Sequence, residues 1–292
     1  MPTAFVLSGG GNLGAVQVGM LQALTERGIV PDLVVGTSVG AVNAAFLAAG
    51  PWQQRVEALG DIWARTRRRD VFPTPPRTVA RAATGRTNHF VDPRPLRRLV
   101  ERSVDYGRIE QSRIPLAIVA TDVITGGEVV LRHGDVVDAV LASAAIPSVF
   151  PPVELDGHVL MDGGVVNNTA ISVAGELGAD VVYVLPTGYA CALREPPGSA
   201  LGMALHAVSL AIQRRLISDV AVWQHRCTLR VVPPLCPVSV APTDFGHTAE
   251  LRERARRATA QWLDRPLPDD QTSYLGVHEH SPDSGPVRVQ SA

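Results

Sequence analysis

Residues 33–40 read LVVGTSVG, and this stretch decides the fold class. Three apolar residues typical of a buried strand end at Gly36, and an alanine-rich pattern from residue 39 to residue 49 predicts a helix. The junction has the form G-x-S-x-G, with Gly36, Ser38 and Gly40 as its fixed positions. Between a strand and a helix, this motif predicts a strained turn that presents a nucleophilic serine at the helix N-terminus. The alternative is an ordinary turn in which Ser38 only caps the helix.

The chain before this junction repeats the same order of elements. Residues 4–7 predict a short strand, and residues 15–27 have helical apolar spacing that stops at Gly28. A β-α-β-α order is typical of a parallel sheet with helical crossovers, so we predict an α/β fold. Further strands are predicted at 116–120, 129–131, 159–161, 181–185 and 229–232, and helices at 52–68, 96–104, 136–145, 170–177, 200–223 and 249–263. Residues 72–95 hold five prolines and predict no helix.

A glycine-rich turn, GGGNLG at residues 9–14, follows the first strand. Glycines leave backbone N–H groups free to face an anion, and the same string also opens dinucleotide-binding folds. A dinucleotide site needs an acidic residue at the carboxyl end of the second strand, whereas Asp32 lies before that strand. The favoured interpretation is therefore an oxyanion hole, and a nucleotide-binding oxidoreductase that uses residues 9–14 remains the alternative of a different class.

Asp162, Gly163 and Gly164 follow the strand predicted at 159–161. A serine hydroxyl needs a base to act as a nucleophile, and none of the eight histidines has a recognisable triad context. His158 lies at the far end of the same short strand, and His278 and His280 lie near the C-terminus. An aspartate at a strand end could accept the proton directly. The common alternative is a turn aspartate of the Asx type.

These motifs, in this order, resemble the patatin-like phospholipase family. The segment ASAAIPSVFPP at residues 142–152 is similar to the block that precedes the aspartate in that family, and the resemblance covers about residues 4–185. It implies a three-layer α/β/α sandwich around a mostly parallel sheet. It also implies a hydrolase of lipid carboxylic esters that needs no metal or organic cofactor and whose partner is a lipid or ester substrate.

The resemblance also assigns roles to residues. It implies a catalytic dyad of Ser38 as nucleophile and Asp162 as base, working through an acyl-enzyme. It implies an oxyanion hole formed by the turn at Gly9, Gly10 and Gly11, with Gly14, Gly36, Gly40, Gly163 and Gly164 as supporting motif positions. The position before Gly14 is often basic in the family, whereas this chain has Leu13. A soluble esterase, thioesterase or acyltransferase with little phospholipid activity is therefore the alternative within the same class.

Composition excludes several classes of protein. The chain has 292 residues, 46% of them hydrophobic, and a net charge of −1, which excludes a wholly disordered chain and gives no sign of nucleic-acid binding. The three cysteines, Cys191, Cys227 and Cys236, are far apart and suggest neither a disulfide framework nor a zinc site. No signal peptide or membrane-spanning run is predicted, so we expect a cytoplasmic protein, with peripheral membrane contact as an open alternative. The oligomeric state is not predicted.

One hydrolase domain is predicted over residues 1–265, followed by a polar, poorly ordered tail at 266–292. Within the domain, residues 65–113 hold 13 arginines against five acidic residues, a net charge of +8. This basic insert is either a solvated surface or a cap over the active site that meets anionic lipid headgroups.

Overall fold

The computed structural model describes residues 1–188, 195–236, 238, 240, 243–266, 268–273, 275 and 276. Helices cover both faces of a mostly parallel, eight-stranded sheet in this part of the chain. The strands are β1 (Thr3–Leu7), β2 (Leu33–Thr37), β3 (Leu116–Asp122), β4 (Glu128–Leu131), β5 (Val153–Leu155), β6 (His158–Asp162), β7 (Val181–Leu185) and β8 (Thr228–Val231). The helices are α1 (Gly14–Glu26), α2 (Val39–Leu47), α3 (Trp52–Arg65), α4 (Arg68–Val71), α5 (Pro76–Ala83), α6 (Arg94–Ser103), α7 (Val136–Ser143), α8 (Gly164–Asn167), α9 (Ile171–Glu176), α10 (Ala200–Trp223) and α11 (Thr248–Leu263).

The sheet separates two hydrophobic cores. Strands β3, β2, β1, β7 and β8 are mutually parallel, and alternate residues of each strand face opposite sides. In β1, Phe5 and Leu7 join the core under α1, α2, α3, α6, α7 and α11, whereas Ala4 and Val6 join the core under α9 and α10. The predicted α/β sandwich with a mostly parallel sheet is confirmed.

The antiparallel strands are arranged around β3. Val119 pairs with Thr37 of β2 and also with Val130 of β4, so β2 and β4 lie on opposite sides of β3. Ala120 pairs with β4 as well, and its other partner is Asp162 of β6. Strands β2 and β6 therefore lie end to end along the same side of β3, and their ends, Thr37 and Asp162, occupy consecutive register positions.

Three short helices, α4, α5 and α8, and the strand β5 were not expected from the sequence. Helix α5 begins at Pro76, and α6 has a proline in its first turn, where a missing N–H costs no hydrogen bond. The prediction of no helix in 72–95 is therefore wrong for α5 and for the first two residues of α6, whereas α4 ends at Val71, just before this segment. Strand β5 forms a hairpin with β6 through Asp156 and Gly157, both with positive φ, which is a common two-residue turn.

Part of the expected tail packs on the domain. Leu275 is buried, and its carbonyl accepts a hydrogen bond from the Gln213 side chain at 3.0 Å. The side-chain oxygen of Gln271 accepts from the Val231 N–H at 3.1 Å. Ordered contacts thus continue past Arg265. The rest of the tail from residue 277, including His278 and His280, lies outside the described residues, as does Cys191.

Candidate active site

Ser38 lies on a strained turn between β2 and α2. Its backbone angles, φ 55° and ψ −123°, belong to a conformation that normally requires glycine, and holding a serine there costs about 1–3 kcal/mol. The turn can be this tight because α2 approaches the end of β1 closely, and a methyl group at Gly40 would overlap the Leu7 carbonyl. An added methyl group would also collide with neighbouring atoms at Gly14, Gly36, Gly163 and Gly164.

The Ser38 side chain does not cap α2. Its hydroxyl instead donates a hydrogen bond to Asp162 Oδ2 at 2.6 Å, with both residues buried. The pairing follows from the sheet, because Thr37 and Asp162 are consecutive neighbours along β3. The prediction that these two residues meet is therefore matched by a direct contact across 124 residues of sequence.

Asp162 both stabilises a turn of the Asx type and contacts Ser38, so the two interpretations of this aspartate are not exclusive. Oδ1 accepts the Gly164 N–H at 2.7 Å, which is the geometry of an Asx turn, and this bond orients Oδ2 toward Ser38. Burial raises the pKa of Asp162 to about 6, although the hydrogen bonds from Ser38 and Gly164 act in the opposite direction. The carboxyl group can therefore both accept and release a proton near neutral pH.

His158 is directed elsewhere. It lies at the opposite end of β6, where its Nδ1 is 2.6 Å from Asp122 Oδ2. Asp122 also accepts the N–H groups of Ile124 and Thr125, and these bonds hold the pKa of its carboxyl group well below the usual range, at about 2. His158 and Asp122 form a turn-stabilising pair that does not contact Ser38.

The glycine turn lies against Ser38. A methyl group at Gly9 would come 3.1 Å from Ser38 Cβ. However, the Gly9 N–H donates to the Asn168 carbonyl at 3.1 Å, so the inclusion of Gly9 as an oxyanion donor needs correction. Among the described residues, no hydrogen bond uses the N–H groups of Gly10 and Gly11, which leaves these two as the available donors.

Two polar residues that the sequence analysis did not identify hold the site in place. Ser143 Oγ accepts the Ser38 N–H at 2.9 Å and donates to the Val119 carbonyl at 2.5 Å. Thr187 Oγ1 donates to the Gly9 carbonyl at 2.6 Å, which fixes the glycine turn from the other side. Ser143 belongs to the segment at 142–152, but nothing in its local sequence indicates this role, because both of its partners are distant along the chain.

An apolar cavity opens at Ser38 and Gly11. Helices α2, α3 and α6 supply most of its walls, and four aromatic side chains line another part. The Phe72 and Phe150 rings stack there at 5.7 Å, and the Trp63 and Phe245 rings at 6.0 Å. A cavity of this kind accommodates hydrocarbon better than a polar group.

The features that a dinucleotide site would need are absent from the carboxyl edge of β2. Asp32 accepts the Thr3 N–H at 2.8 Å, at the opposite end of that strand, and the carboxyl edge leads into Thr37 and Ser38.

Within the described ranges, no group of three histidine, cysteine or acidic side chains is placed to hold a metal ion. The same part of the chain contains no helix both long and apolar enough to span a bilayer.

Comparison with known proteins agrees with this architecture. A family model described as patatin-like phospholipase matches residues 5–174. The human protein named patatin-like phospholipase domain-containing protein 6 is 32% identical over 187 residues, which is 63% of this chain and 13% of that protein. An uncharacterized NTE family protein of Mycobacterium tuberculosis is 33% identical over 182 residues, which is 62% of this chain and 48% of that protein.

This chain thus spans less than half the length of these two relatives. Among solved structures, VipD from Legionella pneumophila has a TM-score of 0.46 at 16% identity, over 90% of this chain and 66% of that one. ExoU from Pseudomonas aeruginosa, in complex with SpcU, has a TM-score of 0.42 at 17% identity, over 92% of this chain and 53% of that one.

Proposed function

The chain belongs to the patatin-like phospholipase family, and from this premise we propose that it hydrolyses the carboxylic esters of lipids through Ser38 and Asp162. The observation that carries the proposal is the hydrogen bond of 2.6 Å between Ser38 Oγ and Asp162 Oδ2, at the opening of an apolar cavity. A strained serine turn, a buried carboxyl group and free backbone donors are the components that acyl transfer requires.

The first half of the reaction forms an acyl-enzyme. Asp162 accepts the hydroxyl proton as Ser38 Oγ attacks the ester carbonyl, and the N–H groups of Gly10 and Gly11 stabilise the oxyanion. One such donor typically contributes about 10²–10³ in rate. The tetrahedral intermediate then collapses, and the leaving alcohol takes the proton from Asp162.

The second half restores the enzyme. Asp162 accepts a proton from a water molecule that attacks the acyl carbonyl, and the oxyanion is held by the same two N–H groups. When the second intermediate collapses, Ser38 Oγ leaves and takes back the proton from Asp162. The products are a carboxylic acid and the free serine hydroxyl.

Two substitutions test the dyad. Ser38→Ala and Asp162→Asn are each expected to lower kcat/KM by about 10³-fold or more, because each removes a group that acts in the transition state. Hydrolysis of p-nitrophenyl esters and of phospholipid vesicles measures the effect and separates the phospholipase from the soluble esterase alternative. Ser218→Ala and Asp156→Asn, both remote from the site, are the matched controls. Undiminished turnover in either folded dyad variant would contradict the assignment.

A fluorophosphonate probe tests the nucleophile independently of substrate. We expect covalent labelling at Ser38 that is abolished in Ser38→Ala. Labelling elsewhere, together with tight binding of a nicotinamide dinucleotide, would instead favour the nucleotide-binding alternative.

We also propose that the basic insert brings the cavity to an anionic lipid surface. Arg67, Arg68 and Arg69 are exposed, and the ion pairs among the described residues do not include them. They precede Val71 and Phe72, which line the cavity, and Asp70 lies between the arginines and these two residues. A cluster of unpaired arginines beside an apolar opening suits anionic headgroups.

A further inference from the structure

The apolar cavity follows α2 away from the nucleophile. Val39, Val42 and Phe46 line it, and their spacing of three and four residues places them along one face of the helix. From Val39 to Phe46 the helix rises by roughly 10 Å. The cavity is therefore a channel that begins at Ser38 and extends for about two helical turns.

The polar side chains in the channel wall are all bonded to other protein groups. Asn43 uses both ends of its amide, since Nδ2 donates to Gln17 Oε1 at 2.9 Å and Oδ1 accepts from Trp63 Nε1 at 2.9 Å. Thr66 and Ser103 each donate a hydroxyl hydrogen to the backbone carbonyl four residues earlier, at 2.8 Å and 2.7 Å. These groups need no bond from a ligand, so the channel suits methylene groups.

Phe46, whose side chain is buried, lines the channel at the position on α2 farthest from Ser38. The guanidinium group of Arg55 lies over the ring, 4.9 Å from its centroid, and Arg55 is itself ion-paired with Asp105. Next to this pair, Tyr106 donates to the Ala45 carbonyl at 2.9 Å. The start of α3 and the segment after α6 thus support Phe46 from behind.

We propose that this channel binds one extended acyl chain of the substrate and that Phe46 sets the maximum length of that chain. The inference rests on the proposed function, because Ser38 marks the end of the channel where the ester reacts. Each methylene that enters an apolar site strengthens binding by about fourfold. Affinity should stop increasing when the acyl chain is long enough to reach Phe46, because the ring cannot move without displacing Arg55.

Two substitutions with opposite expected effects test the proposal. Phe46→Ala removes the aromatic ring at the far end of the channel and should lengthen the acyl chain that the enzyme prefers. Val42→Phe places a ring halfway along the channel and should shorten the preferred chain. The readout is the ratio of kcat/KM values between p-nitrophenyl esters from acetate to palmitate within each variant, so that a general loss of activity cancels. Phe90→Ala, an exposed aromatic outside the channel, should keep the wild-type profile.

A binding experiment separates this proposal from the catalytic one. In a Ser38→Ala background, saturated fatty acids of increasing length displace a fluorescent fatty acid, and their affinities are compared with and without Phe46→Ala and Val42→Phe. Opposite shifts in binding without any wild-type hydrolysis would reject the proposed function and support the channel. If kcat/KM depends on acyl-chain length in the same way in all variants, the proposal that the channel binds the acyl chain is wrong. If Phe46→Ala does not fold, Phe46→Leu and Val42→Phe give the same comparison.

Discussion

At the scale of single residues, the site depends on the protonation of one buried carboxyl group. In the proposed mechanism Asp162 must be ionised to accept the Ser38 proton, yet burial raises its pKa to about 6. The carboxylate is stabilised by two hydrogen bonds and has no cationic partner among the groups that perturb it. Such a base is strong enough for proton transfer and still ionised at neutral pH.

The pH dependence of activity follows from this pKa. We expect kcat/KM to rise tenfold per pH unit below about pH 6 and to level off above it, because only the ionised form of Asp162 accepts the proton. Initial rates with a non-ionisable ester across the acid range measure the profile. A rate that stays constant down to pH 4 would show that Asp162 is not the base.

The same carboxyl group destabilises the folded protein at neutral pH. Its folded pKa lies above the ordinary value of 3.8, so its contribution to stability is fully present below pH 3.8 and is lost as pH rises through about 6. Asp162→Asn, which cannot ionise, should therefore gain stability over the wild type as pH increases, by roughly 3 kcal/mol at pH 8 relative to pH 3.8.

Urea unfolding of both proteins at the two pH values measures this difference. Asp156→Asn, at an exposed turn, serves as the control that should show little change. An Asp162→Asn variant that loses stability with rising pH relative to the wild type would contradict the burial argument.

At the scale of elements, the dyad is assembled by strand pairing. Strands β2 and β6 share one side of β3, so the backbone of β3 sets the separation of Ser38 and Asp162. The close approach of α2 to β1 at Gly40 then fixes the direction of the serine turn. Regular elements, rather than long loops, place both groups of the proposed dyad.

Much of the structure around Ser38 could be predicted from the sequence, because the motif and the patterns that indicate it are adjacent in the chain. The motif around Ser38 lies between an apolar run and a helical pattern, and both became β2 and α2. The position of β6 could not be predicted, since nothing in its five residues indicates that it extends the line of β2. The involvement of the Gly9 N–H could not be predicted for the same reason, as its acceptor is the distant Asn168.

Alanine substitutions at two glycines test whether the close approach of α2 to β1 fixes the serine turn. Gly40→Ala should destabilise the fold by about 2–4 kcal/mol, because its methyl group overlaps backbone atoms that cannot move freely. It should also abolish labelling of Ser38 by displacing the turn. Gly198, which has open space around it, provides the matched control, and thermal unfolding with fluorophosphonate labelling gives both readouts. Equal free energies of unfolding for Gly40→Ala and Gly198→Ala would argue against a close approach of α2 to β1.

At the scale of the whole molecule, the sheet divides the protein into two functional faces. The channel, the basic insert and α3 lie with the core on one face, whereas α9 and α10 cover the other. Arg67, Arg68 and Arg69 therefore lie on the same face as the channel. This arrangement would let one surface both bind a lipid layer and admit a chain from it.

Binding to vesicles tests this arrangement. Arg68→Gln with Arg69→Gln should weaken binding to phosphatidylglycerol vesicles by roughly 30-fold at low salt, and added salt should weaken wild-type binding as well. Replacement of Arg214 and Arg226, on α10 or just after it, removes the same charge from the opposite face and should have little effect. Binding that is insensitive to salt or equally reduced by both pairs would reject an electrostatic surface at the channel.

The end-to-end placement of β2 and β6 has a consequence for synthesis of the protein on the ribosome. Ser38 is synthesised early, whereas its proposed base is 124 residues further along the chain and reaches it only when β6 has aligned on β3. A nascent chain that stops before residue 158 contains Ser38 and lacks its proposed base, Asp162. The proposed dyad therefore cannot form in a nascent chain until β6 has paired with β3.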